Sequence, residues 1–144
     1  MSHHVVVIRP AYLKLLLSGE KYIECRLSRI RRPPFQAVAP GDLLWFKRPS
    51  GPILAMARAG RCRFHRLHDP GDLARLTAPY AAGIRAADDF FDGAETWARF
   101  LSLVWIDQIL GLQPMRVIKS DKRAWVVLDA PPRPGMRIGS ATPS

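Results

Sequence analysis

The sequence predicts an α+β fold in which a mixed, barrel-like sheet is flanked by a few helices. Short β-branched or alternating apolar runs recur along the chain, which is typical of strands. Between them lie segments whose apolar residues recur at helical spacing. The length of 144 residues and the 48% hydrophobic content suffice for one domain with its own core. We predict that this domain covers residues 1–129 and that a flexible Pro/Gly-rich tail covers residues 130–144.

The first elements are a strand, a helix and a second strand. Residues 5–8 form a β-branched run that favours a buried strand. Pro10 is well placed as the first residue of a helix, and Gly19 is a suitable residue to end it. Residues 21–27 alternate between an apolar and a polar face, which predicts a half-buried strand. The apolar face holds Ile23, Cys25 and Leu27, and the polar face holds Tyr22, Glu24 and Arg26.

Further strands and a helical insert follow. A basic loop at residues 29–34 and a turn at 40–42 precede a strand at 43–47 and a long strand at 53–66, which we expect to be irregular near Gly60. Residues 69–104 predict an insert of two helices. The second would begin at a capping box of Asp92 and Glu95 and continue through Trp97, Phe100, Leu101 and Val104. We expect the last strands at 105–110, 115–119 and 125–129.

Positive charge is concentrated outside the insert. The chain has 22 Lys and Arg residues against 12 Asp and Glu, a formal net charge of +10. Residues 69–107 hold seven acidic residues and three arginines, a net of −4, so the rest of the chain carries +14. Because Lys and Arg release counterions when they neutralise phosphates, this clustering favours a polyanion partner such as RNA or DNA. The alternative is an arginine-rich composition that only serves solubility.

Several classes of site and location are not indicated. No apolar run approaches the roughly 20 residues that span a bilayer, and no signal peptide is visible, so we predict a cytoplasmic protein without membrane contact. Cys25 and Cys62 lie on apolar strand faces and favour inert buried thiols. His65 and His68 lack further residues at metal-ligand spacing and favour surface histidines. We find no phosphate-binding glycine loop or nucleophile elbow, and predict no metal and no cofactor.

Residues 19–26 carry the most distinctive pattern, because Glu24 and Arg26 share a strand face that begins near Lys21. Taken without further information, this pattern is compatible with a solvated surface ion pair between Glu24 and Arg26 or with part of a functional site. With the preceding strand and leucine-rich helix, it resembles the ASCH domain of the PUA-like superfamily, whose signature is Gly-x-Lys-x-x-Glu-x-Arg. Residues 40–46 are similar to the family's Gly-Asp-hydrophobic strand entry. The resemblance covers roughly residues 5–128, least well over the insert at 69–104.

The resemblance implies a PUA-like small mixed β-barrel flanked by helices, with a cleft lined by the signature residues. The family is associated with RNA binding and modified nucleosides. One branch resembles an amidohydrolase acting on N4-acetylcytidine, and RNA cleavage is attributed to other members. In that branch a lysine works with a threonine and a separate glutamate. Lys21 matches the lysine, Glu24 holds the threonine position, and no glutamate matches the third role. If the protein is an enzyme, Lys21 and Glu24 are the implied catalytic residues.

The side-chain chemistry suggests how such a cleft would bind. Lys21 and Arg26 can hold a phosphate or a carbonyl that gains negative charge. Glu24 can accept from the exocyclic amine of a base, or act as a general base if burial raises its pKa. The predicted ligand-binding residues are Lys21, Tyr22, Glu24, Arg26, Trp45, Lys47, Lys119 and Ser120. The predicted nucleic-acid surface is Arg29, Arg31, Arg32, Arg61, Arg63 and Arg123. A core role is an equal alternative for Trp45 and for Trp125, a further candidate for base stacking.

Three functions follow from these observations. The first is an RNA- or nucleotide-binding domain, for which RNA or a modified nucleoside is the partner. The alternative is a hydrolase on nucleic acid components, either an amidohydrolase of the N4-acetylcytidine type or a ribonuclease. The third is an accessory whose protein partner docks on the acidic insert.

Overall fold

A computed structural model describes residues 1–139. Its helices are α1 (Pro10–Ser18), α2 (Asp72–Thr77) and α3 (Ala81–Ile84). Its longer strands are β1 (His3–Val7), β2 (Ile23–Ser28), β3 (Leu43–Lys47), β4 (Ile53–Arg66), β5 (Phe100–Met115) and β7 (Trp125–Leu128). Two short strands, β6 (Ile118–Lys119) and β8 (Arg137–Ile138), pair in parallel with each other. Within residues 1–139, no helix has the length and apolarity needed to cross a membrane.

The six longer strands form one mixed sheet that curls into a half-barrel. Its order is β2-β5-β4-β3-β1-β7, in which β1 and β3 are parallel and the other neighbours antiparallel. The edge strands are therefore β2 and β7. This arrangement confirms the predicted α+β fold with a small barrel-like sheet and short helices.

Three apolar core clusters cover the two faces of the sheet, and two of them position the site. The inner face of the half-barrel packs on α1 through Leu13 and Leu16, together with Val6, Phe46 and Val104. The outer face of β2 and β5 packs on the insert; its buried residues include Ile23, Cys25, Leu101, Leu103 and Ile84. The start of β5 is thus buried on both faces, which is why β5 carries a long apolar run while β2 alternates between apolar and polar residues.

Helix α1 forms as the sequence predicts. Pro10 occupies its first turn, where the absent N–H costs no hydrogen bond. Gly19 ends it with φ of 83°, a left-handed conformation that glycine adopts without strain, and its N–H donates to the Leu16 carbonyl at 3.2 Å. The helix therefore delivers the chain directly to Lys21 and β2.

The prediction of a second insert helix through Val104 is wrong. Residues Ala94–Thr96 form only a short 3-10 turn, and β5 runs without interruption from Phe100 to Met115 in place of the predicted helix end and the strand at 105–110. Both faces of β5 are buried at its start, so Leu101 and Leu103 contact the insert while Val104 contacts the barrel interior. A strand that is apolar on both faces mimics helical spacing in the sequence.

The predicted flexible tail from residue 130 also needs correction. β8 pairs with β6, and Ile138 is 0% exposed in a core cluster with Val5, Ile53 and Val126. Prolines precede β8 in the sequence, but the strand still packs on the domain. It does so because Ile138 covers a part of the sheet's outer face that no other element covers. Residues 140–144 of the predicted tail lie outside the described residues.

Candidate functional site

A cleft of about 370 Å³ lies where the two sheet edges face each other without pairing. Its walls include Glu24 and Arg26 from β2, Val7 from the end of β1 and Ala124 just before β7. Arg26 spans the gap, since its Nη2 donates to the Val7 carbonyl at 2.9 Å and its guanidinium lies 5.5 Å from the Trp125 ring centroid. We call this opening the seam cleft.

Glu24 is the buried anion of the seam cleft. It is 4% exposed, and its Oε2 accepts from Arg26 Nη2 at 2.8 Å. It pairs with Val104 across β2 and β5, which places it on the inner face of the half-barrel. The curl of the sheet turns this polar face of β2 inward, so the Glu24–Arg26 pair is not a solvated surface ion pair.

Lys21 is the second buried cation beside Glu24. It is 3% exposed, and its Nζ lies 3.5 Å from Glu24 Oε1. The same Nζ donates to the carbonyls of Ile23 at 2.8 Å and Ile84 at 2.5 Å. The three N–H groups of the ammonium thus each have an acceptor nearby. Lys21 positions Glu24 and ties β2 to the insert, and it is not among the side chains that line the seam cleft.

Opposing effects set the charge of Glu24. Burial by itself raises the pKa of this carboxyl, but the positive charges and hydrogen bonds of Arg26 and Lys21 outweigh burial and leave its pKa below the ordinary value of 4.5. Glu24 is therefore a carboxylate at neutral pH. The raised pKa that a general base would need is not present.

One wall of the seam cleft is aromatic. Tyr12 from α1 and Phe90 and Trp97 from the insert line it, and the Tyr12 and Phe90 rings meet edge to face with centroids 6.4 Å apart. The Tyr12 hydroxyl accepts from the Ala87 N–H at 3.0 Å, which fastens the insert over α1. The sequence did not single out these three residues as part of a site, because their spacing is equally typical of core residues.

Basic residues continue beyond Arg26. A smaller cleft of about 80 Å³ shares Arg26, Leu27 and Ala124 with the seam cleft and adds Arg32 and Arg123. Arg9, at the start of α1, lines the seam cleft itself and was also missed. Arg29 and Arg31 are exposed in the loop that follows β2. Four of the six predicted nucleic-acid arginines therefore lie near this edge of the sheet: Arg29, Arg31, Arg32 and Arg123.

The two other predicted arginines, Arg61 and Arg63, lie elsewhere. Arg63 pairs with Leu103 across β4 and β5, on the outer face that carries the insert. The Arg61 guanidinium lies 4.9 Å from the Trp105 ring centroid on the same face. The structure thus does not bring these two arginines to the seam cleft.

The predicted ligand-binding residues also lie in different parts of the structure. Tyr22 is exposed and packs against Gly83, where an added Cβ would lie 2.6 Å from its ring, so Tyr22 belongs to the insert contact. Trp45 faces the outer side of the sheet with Val5, and its Nε1–H donates to His3 Nδ1 at 3.2 Å. Lys47 and Lys119 line a different cleft, and Ser120 is exposed directly after Lys119. Of the predicted set, only Lys21, Glu24 and Arg26 cluster at the seam cleft, and of these only Glu24 and Arg26 line it.

Trp125 has a core role that also orients Arg26. It is buried, and its Nε1–H donates to His4 Nδ1 at 2.9 Å. Because Nδ1 accepts, His4 carries its proton on Nε2, which donates to Asp42 Oδ2 at 2.9 Å. Burial lowers the pKa of His4 and outweighs the opposing effect of Asp42. A chain of hydrogen bonds therefore fixes the indole that supports the Arg26 guanidinium.

Comparison with known proteins identifies the fold. No protein-family model matches the chain, and no curated protein matches it. The structure of the ASCH protein from Zymomonas mobilis is 19% identical, with a TM-score of 0.57 over 78% of this chain and 71% of that one. A tyrosine-to-phenylalanine variant of that protein is 17% identical, with a TM-score of 0.59 over 81% of this chain and 76% of that one. The chain thus has the fold of an ASCH domain, as the signature at residues 19–26 predicts.

Proposed function

We propose that the seam cleft of this ASCH-fold protein binds a nucleotide of single-stranded RNA or a modified nucleoside. The observation that carries the proposal is the buried carboxylate of Glu24 beside Arg26, at the base of a cleft with an aromatic wall. A carboxylate accepts hydrogen bonds from base amines and repels phosphates, so its presence favours a base at this depth and phosphates at the rim.

The aromatic wall supports binding of a base. Unpaired bases stack on aromatic side chains in most single-strand binding sites, at about 1–3 kcal/mol per base. Tyr12, Phe90 and Trp97 offer such surfaces in the same cleft as Glu24. The volume of about 370 Å³ is within the range of small-ligand sites.

The rim supports binding of the backbone. Arg9 lines the seam cleft, and Arg32 and Arg123 line the smaller cleft that continues from it. Guanidinium groups bind phosphates through paired, charge-assisted hydrogen bonds. A strand that places one base against Glu24 would pass its neighbouring phosphates along these arginines.

The test is fluorescence anisotropy with a labelled single-stranded oligoribonucleotide, comparing the wild type with Arg26→Gln and Arg63→Gln. Both variants lose one positive charge, but only Arg26 lines the seam cleft. We expect Arg26→Gln to weaken binding about tenfold or more and Arg63→Gln to leave it nearly unchanged. Equal losses in the two variants would show that net charge alone attracts RNA, and absence of binding at low salt would end the proposal.

The hydrolase alternative is supported by the 3.5 Å approach of Lys21 to Glu24. Its test is release of acetate from N4-acetylcytidine, and cleavage of single-stranded RNA, by the wild type, Lys21→Met and Glu24→Gln. A hydrolase acting through these residues loses activity in both variants. Binding without turnover in the wild type favours the binding function.

A further inference from the structure

A second cleft lies on the other side of the turn between β3 and β4. It has a volume of about 300 Å³ and shares no lining residue with the seam cleft. Three cationic side chains line it, from Lys47 at the end of β3 and from Arg116 and Lys119 around β6. The turn contributes Ser50, Gly51 and Pro52, and no acidic residue belongs to the lining. We call this opening the basic cleft.

Lys47 is the unusual member of the basic cleft. It is only 5% exposed, and the one hydrogen bond of its Nζ goes to the Arg48 carbonyl at 3.2 Å. In the described part of the chain, no ion pair within 4.0 Å includes Lys47, Arg116 or Lys119. Burial of an ammonium without a counter-charge is costly, because the lost hydration is not replaced.

The surrounding charges increase this cost. Burial lowers the pKa of Lys47, and the positive charge of Lys119 lowers it further. Asp121 is the acidic residue beside Lys119, but its carboxylate is held by Arg123, whose Nε donates to both oxygens at 3.0 Å. Lys119 reaches only the backbone carbonyl of Asp121. The basic cleft therefore retains uncompensated positive charge.

We propose that the basic cleft binds a phosphate group, with Lys47 as its buried anchor and Arg116 and Lys119 as flanking donors. Such an anion supplies the counter-charge that Lys47 lacks and accepts several charge-assisted hydrogen bonds at once. Inorganic phosphate and the phosphodiester of an RNA strand share this chemistry. The two clefts flank one turn, with Pro49 in the seam cleft and Ser50 in the basic cleft. The proposal does not rest on the proposed function of the seam cleft.

The experiment is isothermal titration calorimetry with inorganic phosphate at constant ionic strength. It compares the wild type with Lys47→Met and with Lys14→Met, which removes the same charge from an exposed position on α1. We expect Lys47→Met to weaken phosphate binding about tenfold or more, and Lys14→Met to leave it unchanged. Thermal unfolding should show that phosphate raises the Tm of the wild type and of Lys14→Met, but not that of Lys47→Met.

Two results would overturn the proposal: no phosphate binding by the wild type, or equal losses in Lys47→Met and Lys14→Met. If Lys47→Met does not fold, Lys119→Gln, at a half-buried position, decides by the same criterion. A labelled oligoribonucleotide distinguishes the sources of phosphate. Weaker RNA binding in Lys47→Met indicates a phosphodiester, and loss of phosphate binding with unchanged RNA binding indicates a free anion. Phosphate binding without any RNA binding contradicts only the function proposed for the seam cleft.

Discussion

At the scale of single residues, Glu24 is a structural centre as well as a candidate ligand. Lys21 and Arg26 both contact it, and Lys21 and Glu24 are almost fully buried. Glu24→Gln would leave two cations without their counter-charge, so we expect it to reduce the free energy of unfolding at pH 7 by about 3 kcal/mol. Urea denaturation followed by circular dichroism measures this change.

The acid limb of the stability curve tests the same residue. Because the folded-state pKa of Glu24 lies below 4.5, its stabilising contribution is complete above that pH and is lost as the pH falls through the folded-state value. The difference between the wild type and Glu24→Gln should therefore shrink below about pH 4.5. Glu20→Gln is the matched control, since Glu20 is exposed and lies 3.7 Å from Arg85. A similar loss in Glu20→Gln would contradict a special role for Glu24.

The residue spacing of this cluster could be predicted from the sequence, but its environment could not. Alternation in residues 21–27 places Glu24 and Arg26 on one face, and the structure agrees. The same alternation predicts that a polar face meets solvent, whereas the curl of the sheet buries it. Likewise Lys47 and Trp45 share a strand with Phe46 but point away from the barrel interior, which depends on a register that no local pattern contains.

At the scale of elements, β8 shows how a short strand can close a core. Ile138 fills a site among Val5, Ile53 and Val126 that the main sheet leaves uncovered. We expect Ile138→Ala to reduce the free energy of unfolding by about 3 kcal/mol, because it leaves a cavity next to three strands. Arg137→Ala, on the exposed side of the same strand, should have little effect. If both substitutions are neutral in urea denaturation, β8 does not belong to the folded domain.

Element boundaries were predictable where local chemistry defines them. Pro10 and Gly19 delimit α1, and the register shift between Ala59 and Cys62 lies at the irregularity expected near Gly60. The start of β5 was not predictable, since Leu101 and Val104 belong to different cores on opposite faces. The aromatic wall of the seam cleft was not predictable for a related reason, the boundary between the insert and β5. Phe90 and Trp97 belong to the insert that ends where β5 begins, and they line the seam cleft together with Tyr12 of α1.

At the scale of the whole molecule, the uneven charge determines which surfaces attract a polyanion. The net charge is +10, yet residues 69–107 carry −4, so the insert attracts a polyanion less than the arginines of the seam edge do. A strand that contacts Arg9, Arg29, Arg31 and Arg32, none of which is in an ion pair among the described residues, neutralises about four phosphates. This predicts a slope near −3 for the logarithm of RNA affinity against the logarithm of salt concentration. Arg32→Gln should make that slope shallower by about 0.7, because one phosphate contact is lost.

Arg75→Gln is the control, since it removes a charge from the exposed surface of α2 and should leave the slope unchanged. Anisotropy titrations over a series of salt concentrations measure both slopes. Equal changes in the two variants would mean that RNA responds to the total charge of the molecule and has no defined path along the seam edge.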